Sequence, residues 1–272
     1  MNNKNDKTEI MLPEQLRQLL GSKPYTRDAV GLSGSEVRLY EDCVLKIRPQ
    51  SDEAENEHRM LCWLEGRLPA PRCLYHGTEA GKDFLLMSRI PGTMACDEAC
   101  MERENGRFAV RLMAEALKRL WQVDIADCPA DQRLTKALSV AERRIRTGEA
   151  SAETASPGVY GPNGFETPDA LLCWLRENQP EEDAVFSHGD YCMPNVLFRG
   201  ENLSGYIDLG NGGVADRWED IAMAHRSLRY NFWGDFGGKV YKDFDPDLLF
   251  EMLGMEKDEK KFRYYDLLHE LY

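Results

Sequence analysis

Aspartate, asparagine and histidine residues are concentrated in two neighbouring segments, FSHGDYCMPNVLF (186–198) and GYIDLG (205–210). Four residues separate Asp190 from Asn195, and twelve separate Asn195 from Asp208. This set fits phosphoryl transfer from ATP, a reaction that depends on metal ions and positioning. Magnesium prefers hard oxygen ligands, which Asn195 and Asp208 can supply. Asp190 then remains to orient an acceptor hydroxyl and to take its proton.

A cation for the nucleotide phosphates is found in the apolar stretch CVLKI, as Lys46. A strand lysine is commonly an exposed edge residue. However, Glu57, Met60, Leu61 and Leu64 recur at a helical spacing, so Glu57 shares an apolar face. A carboxylate that faces a core needs a cation. We therefore expect Lys46 to pair with Glu57 and to bind the nucleotide.

Three other features of the sequence bear on this chemistry. The stretch GLSGSEVRLY (31–40) lacks the glycine patterns of known phosphate loops, but its backbone and the hydroxyl of Ser33 or Ser35 could cover phosphates. Within the H-G-D segment, His188 is expected to brace the turn by hydrogen bonds. Phosphoryl transfer leaves no nucleophilic role for Cys192.

The elements that position these residues change character along the chain. Strands are predicted at 36–40, 43–48 and 83–88, with a helix at 52–66 after the hairpin. Pro91 and Gly92 mark a linker. Beyond it, the pattern predicts helices at 108–123, 168–178 and 258–271, a loop at 150–168, and short strands in AVFSHGD, NVLFR and SGYIDL. We expect an α+β, bilobal fold: a small β-rich lobe (1–90), a hinge near 88–93, and a larger, mainly helical lobe (91–272).

Composition excludes several classes of protein. The 272 residues carry a formal charge of −13, which disfavours a nucleic-acid binder. No apolar run is long enough to span a membrane, and the N-terminus has no secretory pattern, so the expected location is cytoplasmic. The eight cysteines form no C-x-x-C pair. Residues 1–90 are nearly neutral, whereas residues 91–272 hold 33 acidic and 21 basic residues. A solvated acidic surface explains this asymmetry, and so does a cationic ligand in the second lobe.

The motifs resemble the aminoglycoside 3'-phosphotransferase (kanamycin kinase) family, which has a protein-kinase-like fold. The resemblance covers almost the whole chain. It rests on VLKI, MLCWLEGRLPAP, LLMS, SHGDYCMPN and GYIDLGNGGVADRWEDIA, and the last two are specific. It implies ATP as co-substrate, Mg²⁺ as metal ion, and the 3'-hydroxyl of a cationic antibiotic as acceptor, with resistance as the consequence.

The resemblance also implies roles for individual residues. Asp190 would be the catalytic base, Asn195 and Asp208 the magnesium ligands, and Lys46 the partner of Glu57. Backbone groups near Ser88 and Ile90 would bind adenine. The loop and helices around 150–180 would form an acidic wall for the antibiotic, and the acceptor-side residues would be Arg226, Glu270 and Tyr272, the last through its free carboxylate.

The chain departs from the family pattern near the acceptor. It has Asn211 where relatives carry arginine, Tyr230-Asn231 where they carry two acids, and His269 where another acid is expected. Each of the last three positions lacks a potential contact for an ammonium group. These departures leave phosphoryl transfer intact and affect the range of antibiotics.

Two other functions remain open from the sequence. One is a kinase for another small alcohol, such as a macrolide, choline or a sugar. The other is a non-catalytic nucleotide-binding module, which would be expected to have lost Asp190, Asn195 or Asp208. A protein kinase is excluded, because the eleven residues between Asp208 and Asp220 leave no room for an activation segment.

Overall fold

The computed structural model describes residues 10–27, 35–153, 155–235 and 239–272. The chain divides into two compact units. The first comprises residues 1–54 and 72–89, and the second residues 55–71 and 90–272. The helix predicted at 52–66 contributes to both units, because the boundary falls between Ala54 and Glu55.

A five-stranded antiparallel sheet forms the first unit, in the order β1-β2-β3-β5-β4. The predicted hairpin is confirmed: Val37 lies opposite Lys46, and Lys46 lies opposite Leu85 on its other side. The predicted strand at 83–88 is also confirmed. The strands are β1 Thr26–Arg27, β2 Glu36–Leu39, β3 Cys43–Pro49, β4 Cys73–Glu79 and β5 Lys82–Ser88.

One face of this sheet is covered by helix α1, Glu14–Leu20. Leu16 and Leu20 of α1 are buried in one cluster with Leu45 and Ile47 of β3. Because side chains alternate across a strand, Lys46 lies on the opposite face of the sheet from Leu45 and Ile47. The position of Lys46 is thus set by the two apolar neighbours that anchor β3.

Helix α2, Asp52–Leu64, begins where Ser51 Oγ accepts a hydrogen bond of 3.1 Å from the Ala54 N–H. Its faces follow the predicted pattern. Glu57 is 1% exposed, whereas Glu55 is exposed, as the helical spacing predicted. The neighbouring Asn56 is also buried, and it is used in the site described below.

Helices dominate the second unit, as the 3.6-residue periodicity predicted. The expected helices at 108–123, 168–178 and 258–271 are found, each ending one to three residues earlier than predicted. The described part of the predicted loop 150–168 contains no helix before Pro168. Helix α4 packs against α7 and α8, α5 packs against α6, and α7 packs against α9. The helices are α3 Glu98–Met101, α4 Arg107–Leu120, α5 Leu134–Thr147, α6 Pro168–Glu177, α7 Arg217–Trp233, α8 Leu248–Leu253 and α9 Glu259–Leu268.

Short strands of the second unit flank and hold the chain between Ser187 and Gly213. Strand β7 pairs with β10, and β8 pairs with both β6 and β9, all antiparallel. Buried tyrosines fix these segments to α4: Tyr191 donates to the Met113 carbonyl and Tyr206 to the Ala116 carbonyl, both at 2.7 Å. The strands are β6 Thr93–Met94, β7 Ala184–Ser187, β8 Val196–Arg199, β9 Asn202–Tyr206 and β10 Gly213–Asp216.

Within the described part of the chain, every helix is too short or too polar to cross a lipid bilayer.

Candidate active site

The turn between β7 and Asp190 is organised by a fully buried histidine. His188 Nε2 lies 2.9 Å from the Ile207 carbonyl oxygen, and the Asp190 N–H donates to His188 Nδ1 at 3.3 Å. Nδ1 is therefore the acceptor and Nε2 carries the proton, a tautomer assigned from the hydrogen bonds. Burial lowers the pKa of His188, although the negative charges of Asp190 and Asp208 oppose that effect. The neutral His188 braces the turn, as predicted.

A buried carboxylate holds the same turn from the other side. Asp220, in the first turn of α7, accepts the His188 N–H at 2.8 Å and the Gly189 N–H at 3.0 Å. Gly189 has φ +76°, and a Cβ there would lie 2.2 Å from the Asn211 carbonyl oxygen. Only glycine fits this close approach. Gly189, the residue before Asp190, is thus fixed by its close contact with Asn211 and by its hydrogen bond to Asp220.

The predicted base and one predicted metal ligand are in direct contact. Asn195 Nδ2 donates to the Asp190 carbonyl oxygen at 3.0 Å and to Asp190 Oδ2 at 2.9 Å. Asn195 is 5% exposed and ends a 3-10 turn, Met193–Asn195, that follows Cys192. Both hydrogen bonds use the amide nitrogen, so Oδ1 takes part in neither. Asn195 can therefore hold the Asp190 carboxylate and still offer an oxygen to a cation.

The second predicted metal ligand follows the strand that pairs with this segment. The Ile207 N–H donates to the Asn195 carbonyl oxygen at 3.0 Å, which ties the Asp208 turn to Asn195. Asp208 has φ +61°, a left-handed conformation that aspartate adopts more readily than most residues. Asp190 and Asp208 both raise the pKa of His188, which places their charges around one imidazole.

Asn56 was not identified from the sequence, but it supports the turn after Asp208. Its Nδ2 donates to the carbonyl oxygens of Gly210 and Gly212, both at 2.8 Å. Because these bonds span more than 150 residues of sequence, no local pattern could have found them. The one available signal was the position of Asn56 beside Glu57 on a helix with a buried face.

Asp220 and Ser227 were also missed as supporting residues. Ser227 Oγ, on α7, accepts the Met193 N–H at 2.9 Å, and Asp220 lies two turns earlier on the same helix. Helix α7 thus fixes residues 188–195, the candidate catalytic segment, at His188–Gly189 and at Met193. The segment GYIDLGNGGVADRWEDIA carried the family resemblance, but it did not show which side chains of this helix turn toward residues 188–193.

The predicted nucleotide-side residues are distributed over both units. Lys46 is half-buried on β3 of the first unit, and the buried Glu57 belongs to the second, so their pairing stays a prediction. The Ser88 N–H donates to the Arg72 carbonyl oxygen at 2.9 Å, so it is not the donor available to adenine. Ile90 lies beside Gly205 in the second unit. Ser33 lies outside the described residues.

Two predicted acceptor-side residues form one ion-pair network. Arg226 donates to Glu270 Oε1 at 2.5 Å and to Asp266 Oδ1 at 3.1 Å. Glu270 Oε2 accepts the Ser156 N–H at 2.8 Å, so both carboxylate oxygens of Glu270 are engaged. Arg226 fixes Glu270 in place, and Glu270 fixes the loop that carries Ser156. A direct contact of Arg226 or Glu270 with a substrate stays a prediction.

Among the remaining acceptor-side positions, His269 differs from expectation. His269 Nε2 lies 3.0 Å from Glu219 Oε1, and the His269 side chain is 1% exposed. His269 is therefore not an open position at which an acid would meet an ammonium group, contrary to expectation. Tyr272 is half-buried with its ring against that of His269. Asn231 Nδ2 donates to the Ser227 carbonyl oxygen at 2.8 Å, and Asn211 is exposed.

The chain is similar to known proteins over most of its length. The profile of the phosphotransferase enzyme family matches residues 25–251. An aminoglycoside 3'-phosphotransferase of Niallia circulans is 37% identical over 269 residues, which covers 96% of this chain and 97% of that protein.

Solved structures show the same architecture. A crystal structure of a type VIII aminoglycoside 3'-phosphotransferase has a TM-score of 0.75 and 26% identity, and covers 94% of this chain and 97% of its own. APH(3'')-Id of Streptomyces rimosus, in complex with ADP and streptomycin, has a TM-score of 0.72 at 23% identity, with 94% and 95% coverage. The predicted α+β, protein-kinase-like fold is thereby confirmed. As its motifs predicted, the chain belongs to the phosphotransferase enzyme family and, within it, to the aminoglycoside 3'-phosphotransferases.

Proposed function

We propose that this chain transfers the γ-phosphoryl group of ATP to the 3'-hydroxyl of an aminoglycoside antibiotic and so confers resistance to it. The observation that carries the proposal is the pair of hydrogen bonds from Asn195 to Asp190. The buried His188 lies beside them, and the charges of both Asp190 and Asp208 act on its pKa. A binding module needs no fixed carboxylate for an acceptor. This arrangement therefore supports an enzyme.

Asp190 acts as the base that orients the acceptor hydroxyl and takes its proton. Its backbone is fixed by His188, and its carboxylate Oδ2 is fixed by Asn195 at 2.9 Å. These contacts limit the directions in which the second carboxylate oxygen can point. Such positioning is the main contribution that a protein makes to phosphoryl transfer.

Asn195 and Asp208 fit a Mg²⁺ ion. The donor set consists of one amide oxygen and one carboxylate, which are hard ligands of the kind that Mg²⁺ takes beside phosphate oxygens. The Asn195 amide is oriented by Asp190 so that Oδ1 is not used in either of its hydrogen bonds. A bound Mg²⁺ would neutralise negative charge on the ATP phosphates, and Asn56 would keep the Asp208 turn in place through Gly210 and Gly212.

On the nucleotide side, the proposed role of Lys46 is to bind the phosphates, and Glu57 is its predicted partner. Adenine is bound by backbone groups near Ser88 and Ile90, with the Ser88 N–H excluded because Arg72 accepts it. The cytoplasm is the proposed location, since ATP is available there.

On the acceptor side, the charge of the chain favours a polycation. Residues 91–272 hold 33 acidic and 21 basic residues, and aminoglycosides carry several ammonium groups. Attraction between them is screened within about 8 Å at physiological salt. The KM for the antibiotic should therefore rise with ionic strength, and the KM for ATP should respond less.

A coupled assay of ADP release, with aminoglycosides that carry or lack a 3'-hydroxyl, tests the proposal. Turnover only with the 3'-hydroxyl compounds is expected, together with a raised inhibitory concentration in bacteria that express the chain. Streptomycin is the comparison substrate, because a relative from Streptomyces griseus is named a streptomycin 3''-kinase, which indicates a different hydroxyl. Equal turnover with compounds that lack the 3'-hydroxyl would overturn the proposed position. Turnover with neutral alcohols alone would identify a different small-molecule kinase.

A further inference from the structure

The loop 155–165 is braced by its own backbone. The Phe165 N–H donates to the Val159 carbonyl oxygen at 2.8 Å, and the Gly161 N–H donates to the Phe165 carbonyl oxygen at 3.1 Å. Gly164 approaches so closely that a Cβ there would lie 2.2 Å from the Val159 oxygen. The Val159 N–H also donates to the Ser156 carbonyl oxygen at 3.3 Å, so these contacts connect Ser156 with the rest of the loop.

Both ends of the loop are attached to the second unit. Phe165 packs against Trp174 of α6, with ring centroids 5.9 Å apart. At the other end, Ser156 makes two hydrogen bonds: its N–H donates to Glu270 Oε2 at 2.8 Å, and its Oγ lies 3.0 Å from the hydroxyl of Tyr230, where either oxygen can donate. We call these two bonds of Ser156 the latch.

Glu270, one of the two hydrogen-bond partners of Ser156, is itself fixed by an ion pair. Glu270 is an ion-pair partner of Arg226, and their side chains are only 5% and 12% exposed. Tyr160, within the loop, lies near Glu270. Burial, and to a smaller extent the negative charge of Glu270, raises the pKa of the Tyr160 phenol to about 12. The latch therefore connects the loop to a fixed carboxylate rather than to a mobile surface chain.

Helix α7 connects the latch to the catalytic segment. Ser227 accepts the Met193 N–H, and Tyr230 lies three residues further along α7, on a neighbouring position of the helix surface. Arg226, which precedes Ser227 on the same helix, donates to Glu270. A loop held by Tyr230 therefore adjoins the side of the catalytic segment that follows Asp190.

We propose that Tyr230 and Ser156 are positioning residues that hold the loop 155–165 in place before the acceptor binds, and that they thereby set the KM for the acceptor. This inference rests on the proposed function for its kinetic part. Only one of the two bonds of the latch, the one between Ser156 Oγ and the Tyr230 phenol, joins two uncharged groups; the other ends on the Glu270 carboxylate. The contribution of the Ser156–Tyr230 bond should persist at high ionic strength, unlike direct attraction between carboxylates and ammonium groups.

Hydrogen–deuterium exchange of the substrate-free, full-length enzyme tests the latch without any acceptor. Tyr230→Phe and Ser156→Ala should each speed exchange in peptides covering 155–165 by about two- to tenfold, the range that one neutral hydrogen bond gives. Ser156→Thr, which keeps a hydroxyl, should stay close to the unmodified enzyme. Tyr241→Phe is the matched control, because its hydroxyl has no hydrogen-bond partner among the described residues.

Steady-state kinetics with the acceptor found by the ADP-release assay give the second readout. Tyr230→Phe and Ser156→Ala should raise the KM for the acceptor by a similar factor at low and at high salt. The kcat and the KM for ATP should change less than about twofold. The double variant should be little worse than either single variant, because both remove the same bond.

The two readouts separate the latch from the proposed function. If no aminoglycoside is turned over, the proposed function fails, while exchange in the loop still decides whether the latch exists. Unchanged exchange at 155–165, or faster exchange spread over the whole chain, would overturn the latch. A fall in kcat at constant acceptor KM would also overturn it, because Tyr230 would then act on the catalytic segment itself.

Discussion

Asn195 and Asp190 are joined by two hydrogen bonds from one amide nitrogen, 3.0 Å to the backbone oxygen and 2.9 Å to the carboxylate Oδ2. One side chain thereby fixes both the position and the orientation of the proposed base. The bonds also determine the amide orientation, since the nitrogen must face Asp190. The opposite side of the amide is therefore an oxygen, the atom that a magnesium ion requires.

Replacing Asp190 tests the base. Asp190→Ala and Asp190→Asn should lower kcat by about 10²–10⁴-fold, the usual contribution of a positioned base. ATP binding should persist, because the carboxylate acts on the acceptor. Steady-state kinetics and calorimetric titration with Mg-ATP measure the two effects. A variant that keeps more than about a tenth of the activity would show that another group takes the proton.

Replacing Asn195 separates the metal ligand from the amide donor. Asn195→Ala removes an oxygen ligand and both bonds to Asp190, so the Mg²⁺ concentration for half-maximal activity should rise and kcat should fall. Chelation of the metal should abolish turnover of the unmodified enzyme. The matched control is Asn178→Ala, since Asn178 is exposed and its side chain donates to the Trp174 carbonyl oxygen at the end of helix α6. An unchanged Mg²⁺ requirement would exclude Asn195 as a ligand.

Lys46→Met tests the nucleotide cation. The KM for ATP should rise, because the lysine no longer meets the phosphates. If Lys46 pairs with Glu57, stability should also fall by about 3–5 kcal/mol, since the variant leaves a buried carboxylate without its cation. Lys82→Met, on strand β5 of the same sheet, is the control. Unchanged melting temperature and KM for ATP would make Lys46 a surface residue.

Local periodicity was sufficient to predict most elements, including the β2–β3 hairpin, α2, α4 and α6, because each has a regular apolar face. The candidate base and metal ligands were also predictable, since their spacing along the chain is the motif. The supporting groups were not. Asn56 and Asp220 act through backbone atoms that are distant in sequence, and a helix pattern does not tell which polar side chain turns inward.

Asp220 gives a pH-dependent prediction. Burial raises its pKa from 3.8 to about 7, although the N–H groups of His188 and Gly189 oppose the shift. Between about pH 4 and pH 7, the folded state thus holds a proton that the unfolded state has lost. This contribution to stability is complete below the unfolded pKa and is lost progressively as pH rises through the folded pKa of about 7. The slope is at most about 1.4 kcal/mol per pH unit.

Asp220→Asn should remove that slope. The asparagine presents an N–H₂ group to one backbone N–H, so the variant should also be less stable by about 1–3 kcal/mol near neutral pH and have a lower kcat. Urea unfolding between pH 4 and 8 measures both effects. Parallel curves for the variant and the unmodified protein would show that Asp220 does not titrate in this interval.

His269→Asp tests the acceptor end of the chain, where the structure reverses the expectation from the sequence. From the sequence alone, an acid at this position should lower the KM for an aminoglycoside by offering a contact to an ammonium group. In the structure, His269 is buried and its Nε2 lies 3.0 Å from Glu219. An aspartate there would place two carboxylates together out of solvent, which disfavours the charged form of each.

We therefore expect His269→Asp to lower the free energy of unfolding by at least about 1–3 kcal/mol and not to lower the KM for the acceptor. His269→Asn, which keeps a neutral N–H donor for Glu219, is the matched variant and should retain most of the stability. Thermal unfolding and acceptor kinetics on both variants decide the question. A stable His269→Asp enzyme with a lower acceptor KM would mean that this side chain reaches the antibiotic after all, and Glu219 would then lie in the acceptor wall beside it.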